Sequence, residues 1–221
     1  MLVLAFDTAT AAVTVALHEW SPGEGTRVCA ATETIGRRHA EQLVPSITAV
    51  LDKTGVSRGD LSVIVVGVGP GPYTGLRVGL ATAHAFGVAL RVPVHGVCTL
   101  DVIAWASGRA TPFVVATDAR RREVYWARYD SARARASELA VGPPAAAAAA
   151  GLPVVGEGAA LYEDVLGPPA GALLPTATAL AELAVTRLSG AAGPPLLPPE
   201  PLYLRRPDAR APGARKKVTP A

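Results

Sequence analysis

An α/β protein built on a mixed β-sheet flanked by helices is the fold class this sequence predicts, and three observations carry it. Two runs rich in apolar and β-branched residues, 2–6 and 12–20, are separated by the polar turn Asp7-Thr8-Ala9-Thr10 and read as a hairpin. Residues 61–68 form a continuous apolar run, the pattern of a strand buried on both faces. Between and beyond these runs the apolar spacing changes to a helical period, so strands alternate with helices as layered α/β architectures require.

Each element follows in order. Residues 27–35 offer a third strand beside the hairpin. From His39 to Lys53 the residues Ala40, Leu43, Val44, Ile47, Val50 and Leu51 fall on one helical face, and Gly55 follows as a stop. A glycine-rich loop follows the 61–68 strand, then a helix over 75–90, a strand at 92–97 and a short helix over 100–107. A second unit begins near Thr111. Strands at 112–118 and 123–129 are joined by a basic turn, 119–122, with a further strand at 138–141. Residues 143–150 read as a weak helix or a linker, because poly-alanine favours helix while the double proline opposes it. Residues 152–156 form a strand and 177–188 an amphipathic helix. Proline dominates from Gly193 on, which predicts an extended segment and then a disordered tail. The expected organisation is a first lobe at 1–108, a second lobe at 109–204 and a basic tail at 205–221.

Composition bounds the function. The 221 residues are half hydrophobic and carry a formal net charge of +3. Residues 205–217 hold six basic side chains (Arg205, Arg206, Arg210, Arg215, Lys216 and Lys217) against Asp208, so that segment contributes +5 and the remainder of the chain −2. A general basic surface for tRNA is therefore excluded, and only the tail is basic; it is either a solvated terminus or a nucleic-acid contact. Two cysteines without CxxC spacing, Cys29 and Cys98, read as reduced thiols. The apolar start is broken by Asp7 and reads as a strand, and no stretch of 18 apolar residues occurs, so the expected location is the cytoplasm and not a membrane.

Chemistry concentrates at Gly67-Val-Gly-Pro-Gly-Pro-Tyr-Thr-Gly-Leu-Arg-Val-Gly. A glycine-rich loop that leaves a buried strand and opens a helix offers free N–H groups and a positive dipole end to a phosphate. The specific phosphate patterns fail: Leu76 and Arg77 stand where a Walker loop needs Lys and Ser or Thr, and Pro72 stands where a dinucleotide fingerprint needs glycine. Gly75, Gly79, Ala83 and Gly87 recur every four residues as a strip of small side chains. Such a strip admits close approach of another backbone, either the chain's own sheet or a helix of a partner. Asp7 could serve as a general base or magnesium anchor, and equally caps its own turn with Thr8 and Thr10. The histidines His18, His39, His84 and His95 form no metal-binding pair. His39, at a helix start beside Arg38, fits a neutral hydrogen-bonding ring or an interface contact better than a base. Arg120, Arg121 and Arg122 are a solvated corner or face an acidic partner.

The stretch Gly69-Pro-Gly-Pro-Tyr-Thr-Gly-Leu-Arg-Val-Gly-Leu-Ala-Thr-Ala closely resembles the signature of the TsaB family, in which the fourth position is more often Ser and the fifth Phe. Four more ordered matches extend the resemblance along the chain: Asp7-Thr-Ala-Thr; Arg38-His-Ala-Glu-Gln-Leu-Val-Pro; Asp118-Ala-Arg with Glu123-Val-Tyr; and Pro201-Leu-Tyr-Leu-Arg-Arg-Pro-Asp. The resemblance implies an actin and sugar-kinase-like fold of two ribonuclease-H-like lobes. It also implies a non-catalytic scaffold for threonylcarbamoyladenosine modification of tRNA. Such a scaffold binds the catalytic paralogue TsaD as a heterodimer, joins TsaE in the larger complex, touches tRNA only indirectly, and can pair with itself when alone. At the two positions where TsaD carries metal-binding histidines this chain has Thr99 and Ile103, so that metal chemistry is excluded there. No cofactor is expected, with nucleotide only at a shared interface of the assembled complex.

The interface residues so implied are His39, Leu43, Val44, Ile47, Gly75, Leu76, Gly79, Ala83 and Gly87, and a bulky side chain at Gly79 or Ala83 is expected to block pairing while the monomer stays folded. Vestigial phosphate-facing positions are Asp7, Thr8, Thr10, Gly69 and Gly71. The competing enzyme is an ATP-dependent phosphotransferase of the same fold, which requires Mg-ATP binding by the isolated chain. A metal-dependent hydrolase is the third reading.

Overall fold

The computed structural model describes residues 1–22, 24–36 and 38–205. The basic tail expected at 205–221 therefore lies, apart from Arg205, outside the described residues. Strands β1 (Leu2–Asp7), β2 (Ala12–Ser21) and β3 (Gly25–Ile35) are joined by β4 (Val63–Gly67) and β5 (Val94–Val97) in one sheet of order β3-β2-β1-β4-β5. The hairpin strands run antiparallel, whereas β1, β4 and β5 run parallel. Parallel pairing needs a crossover, and helix α1 (His39–Thr54) and helix α2 (Tyr73–Leu90) supply two of them.

Alternation along β1 shows how the sheet is covered. Leu4 and Phe6 point into a cluster with Leu43 and Ile47 of α1 and Leu80 and Ala83 of α2. Val3 and Ala5 point the other way, onto Leu180, Ala181 and Ala184 of the last helix, Ala177–Leu188. With both faces buried, the central strands read as apolar runs and not as alternating ones.

Helix α3 (Thr99–Ser107) lies between this sheet and a second one. Its Val102 joins the first sheet's cluster, and its Leu100 and Ile103 pack on Phe113, Val115 and Tyr129. The second sheet runs β10-β6-β7-β8, from β6 (Phe113–Asp118), β7 (Val124–Ser131), β8 (Ala134–Arg135) and β10 (Val154–Val155), with β9 (Ala140–Gly142) also on β7. Helices α4 (Pro144–Ala148), α5 (Glu157–Leu161) and α6 (Glu163–Leu166) cover its outer face. Within the run 143–150 the helix occupies Pro144–Ala148 and the remainder is turn. The two-residue β8 and the short α5 and α6 have no counterpart in the sequence reading; each is too short to show a period.

The last helix, α7 (Ala177–Leu188), belongs in chain order to 109–204 but packs on the first sheet, where its N-terminal N–H at Ala177 donates to Thr14 Oγ1 at 2.9 Å. After it the chain is extended, as its prolines predict, and runs back along the first sheet and α2. Leu197 pairs with Gly96, Leu202 N–H donates to Val68 O at 2.9 Å, and Tyr73 Oη donates to Arg205 O at 2.6 Å.

Candidate functional site

The turn between β1 and β2, the loop after β4 and the starts of α1, α2 and α3 all meet at one end of the first sheet. Asp7, at the end of β1, is fully buried. Its Oδ1 accepts the Ala9 N–H at 2.6 Å and its Oδ2 accepts the Thr99 hydroxyl at 2.8 Å. Thr99 Oγ1 in turn accepts the Gly69 N–H at 3.2 Å, while the Thr99 N–H donates to Gly69 O at 2.8 Å. One carboxylate therefore ties the hairpin turn to the glycine-rich loop and to α3. Burial raises the Asp7 pKa above its ordinary value, opposed by the Ala9 N–H, the Thr99 hydroxyl and nearby His39.

The glycines belong to the same junction. A Cβ at Gly67 would overlap the Asp7 carboxylate, one at Gly71 the carbonyl of Ala9, and one at Gly75 the carbonyl of Thr8. Thr8 Oγ1 donates to Gly75 O at 2.8 Å, and a Cβ at Gly79 would stand 2.5 Å from Thr8 Oγ1. Close backbone approach is what these positions need, and the backbone approached is the chain's own turn.

This geometry corrects the expected partner interface. Leu43, Ile47, Gly75, Leu76, Gly79 and Ala83 are buried in this chain, and a Cβ at Gly87 would meet Val94 of β5. Another chain cannot reach Gly75, Gly79 and Ala83 while α2 sits on its sheet, so the expected blocking residue at Ala83 would instead disrupt the core. Of the nine positions, Val44 is exposed (46%), and Gly87 and His39 are half-buried, the His39 Nε2–H donating to Thr10 O at 2.8 Å. On the neighbouring outer face, which the sequence reading did not single out, Ala81, Ala85 and Val88 of α2 are exposed, Val88 by 81%. Their signal was present as apolar residues outside the Gly75, Gly79, Ala83 and Gly87 strip.

The phosphate-facing reading is corrected in part. Asp7, Gly69 and Gly71 spend their polar groups or their space on the chain itself. Thr8 and Thr10 also line an open cleft of about 500 Å³ with His39, Gly36, Thr74, Gly75 and Arg120. At the two positions that the sequence resemblance set against metal ligands, Thr99 is committed to Asp7 and Gly69, and Ile103 is buried in the apolar cluster of the second sheet.

A second polar group lies deeper. Tyr129 Oη donates to Asp101 Oδ1 at 2.7 Å, and Arg135 Nη1 stands 3.7 Å from the same oxygen and 3.8 Å from Cys98 Sγ. Burial raises the Asp101 pKa and pushes the Cys98 thiol up to about 12, so that thiol is an inert core group.

A family model described as "TsaD: tRNA N6-adenosine threonylcarbamoyltransferase" matches residues 32–162. An uncharacterized protein of Mycobacterium tuberculosis is 45% identical over 217 residues, which cover 94% of this chain and 93% of that one. The tRNA threonylcarbamoyladenosine biosynthesis protein TsaB of Escherichia coli is 39% identical over 132 residues, 58% of this chain and 55% of that protein. The chain thus spans about half of E. coli TsaB, and likewise 56% of a 42% identical protein of Mycobacterium leprae. A crystal structure of a Pseudomonas aeruginosa protein with similarity to peptidase YeaZ superposes with a TM-score of 0.76 at 32% identity, over 92% of this chain and 99% of that one. Two mixed sheets with helices between and around them are the actin and ribonuclease-H-like layering, and with these relatives they establish the family: the chain belongs to the TsaB/YeaZ family.

Proposed function

We propose that the chain is a non-enzymatic partner subunit in the biosynthesis of threonylcarbamoyladenosine on tRNA, acting in the cytoplasm. It docks on the catalytic paralogue TsaD through the outer faces of α1 and α2, and TsaE joins the assembled pair. The observation that carries this reading is the contrast between a spent interior and an available exterior. The Asp7 oxygens are taken up by the Ala9 N–H and the Thr99 hydroxyl, and Thr99 by Gly69 as well, while Val44 and Val88 stand exposed on adjacent helices. Exposed apolar side chains rimmed by small ones are what a helix-on-helix contact requires. The same faces would serve a homodimer when TsaD is absent.

Val88→Glu tests it. A charge at a position this exposed changes stability by less than about 0.5 kcal/mol. Desolvating it in an interface core should weaken co-purification with TsaD at least ~10-fold, about 1.4 kcal/mol. Full-strength co-purification of a folded Val88→Glu protein rejects this interface. Micromolar binding of Mg-ATP by the isolated chain, followed by titration calorimetry, would favour the phosphotransferase instead.

A further inference from the structure

Helix α3 joins two polar sites. Thr99 begins it at the Asp7 junction, and nine residues on, about 13 Å along the axis, its last turn opens on a separate cleft. That cleft has a volume of about 390 Å³. Trp105, Gly108 and Arg109 at the end of α3 line one side, and Ser131, Ala132 and Arg133 between β7 and β8 line the other. The two sides are pinned together, because the Ala132 N–H donates to Arg109 O at 2.7 Å.

Both arginines of the cleft are held by their side chains. The Arg133 guanidinium lies over the Trp105 ring, 4.6 Å from its centre. Arg109 lies 5.8 Å from the centre of the Phe113 ring, and its Nη1 donates to Ala170 O at 3.1 Å. What neither has is a counter-charge. Arg27, Arg38, Arg120, Arg135 and Arg205 each meet a carboxylate, whereas among the described residues Arg109 and Arg133 meet none. Asp130, next in sequence to Ser131, is exposed and pairs with neither. Arg109 is half-buried, and its Nε is buried without a hydrogen-bond partner. A cation so placed carries a desolvation cost that a bound anion would offset.

We propose that this cleft binds the phosphate group of a small phosphate monoester between Arg109 and Arg133. Guanidinium forks match phosphate oxygens in shape as well as charge. Ser131 Oγ accepts the Arg133 N–H at 3.4 Å, and its own hydrogen has no acceptor among the described residues, which leaves a neutral donor at the same place. The cleft is larger than a phosphate alone needs and falls within the range of small-molecule sites, with Trp105 and Ala132 as an apolar wall for the organic part. The other use for two cations here is to offset the C-terminal carbonyls of α3, and affinity for phosphate separates the two. The cleft is distinct from the α1 and α2 faces proposed to dock TsaD, so the two readings stand or fall apart.

The test is an NMR titration of the isotope-labelled full chain with ribose 5-phosphate, inorganic phosphate and ribose at constant ionic strength. Ribose 5-phosphate should shift the backbone and side-chain N–H signals of Arg109, Ser131 and Arg133 saturably, with a Kd below about 1 mM. Inorganic phosphate should bind more weakly and ribose not at all. Arg133→Gln, at an exposed position, should weaken binding ~10-fold or more and leave the melting temperature unchanged. Arg133→Lys should recover part of the affinity, because the charge returns without the fork.

No saturable shift with either phosphate probe overturns the proposal, as do shifts that any salt reproduces. An Arg133→Gln chain with a lower melting temperature and an intact affinity overturns it as well, because the arginines would then serve α3 alone. Saturation of these signals by a tRNA transcript, with both small phosphates inert, would overturn it in favour of a polynucleotide.

Discussion

The β1–β2 and β6–β7 connections begin alike and end differently. Each starts with an aspartate whose Oδ1 accepts the N–H two residues on, Ala9 to Asp7 at 2.6 Å and Arg120 to Asp118 at 2.7 Å. After that local step the first turn is covered, with Thr99, Gly71 and Gly75 pressed onto it, and Asp7 disappears from solvent. The second turn is left open, and its arginines face water. The same short-range chemistry therefore serves as a structural junction where the chain folds back on it and as a display of charge where it does not.

The largest expected effect lies at the covered turn. Gly75→Ala would drive a methyl into the carbonyl of Thr8, and neither backbone can yield without moving α2 or β1. A loss of about 3 kcal/mol or more is expected in denaturant unfolding. A loss below about 1 kcal/mol would show that α2 can lift from the turn, and would restore that strip to the list of contact surfaces.

Next is the aspartate pair itself. Asp7→Ala strands the Ala9 N–H and the Thr99 hydroxyl in a dry site and should cost about 2 kcal/mol, whereas Asp118→Ala exposes its partners to water and should cost about 1 kcal/mol or less. Acidity gives a further test of the covered turn. Because burial raises the Asp7 pKa, the folded chain binds more protons than the unfolded one between the ordinary carboxylate value and the raised one. This residue's contribution to stability is then full below that window and is lost as pH rises through it. Asp7→Asn should remove that slope from a plot of melting temperature against pH. An identical slope in the variant would mean that Asp7 is not desolvated, and the contrast between the turns would collapse.

The same contrast explains how much could be read in advance. The helices at His39–Thr54 and Ala177–Leu188 were legible because apolar residues recur on one face, and for the first Gly55 also marks its end. The hairpin and the β4 run were legible from composition and length. The direction of the Gly75, Gly79 and Ala83 strip was not. Small residues announce that something comes close, but the Thr8 oxygen that does so lies 67 residues away in the chain. The Asp7 to Thr99 bond spans 92 residues, with no local mark on either partner. In the second turn no glycine announces a left-handed backbone, so three arginines read as an ordinary polar corner. The Asp101, Tyr129 and Arg135 group was missed for the same reason as the Asp7 bond: its members meet only after α3 packs on the second sheet.

The smallest effect is also the one with the opposite sign. Arg122→Gly removes a Cβ from a residue at φ 61° and should stabilise the fold, once the extra freedom of the unfolded glycine is subtracted, by about 0.5–1 kcal/mol. Applied to the first turn, where no residue other than glycine is held left-handed, the same logic predicts no such gain. A measured rise in melting temperature for Arg122→Gly would mean that the native arginine is kept against the interest of the fold, as residues at working surfaces are. A fall would mean that the Arg122 side chain contributes packing or pairing that outweighs the backbone cost, and the open turn would then be structural like the covered one.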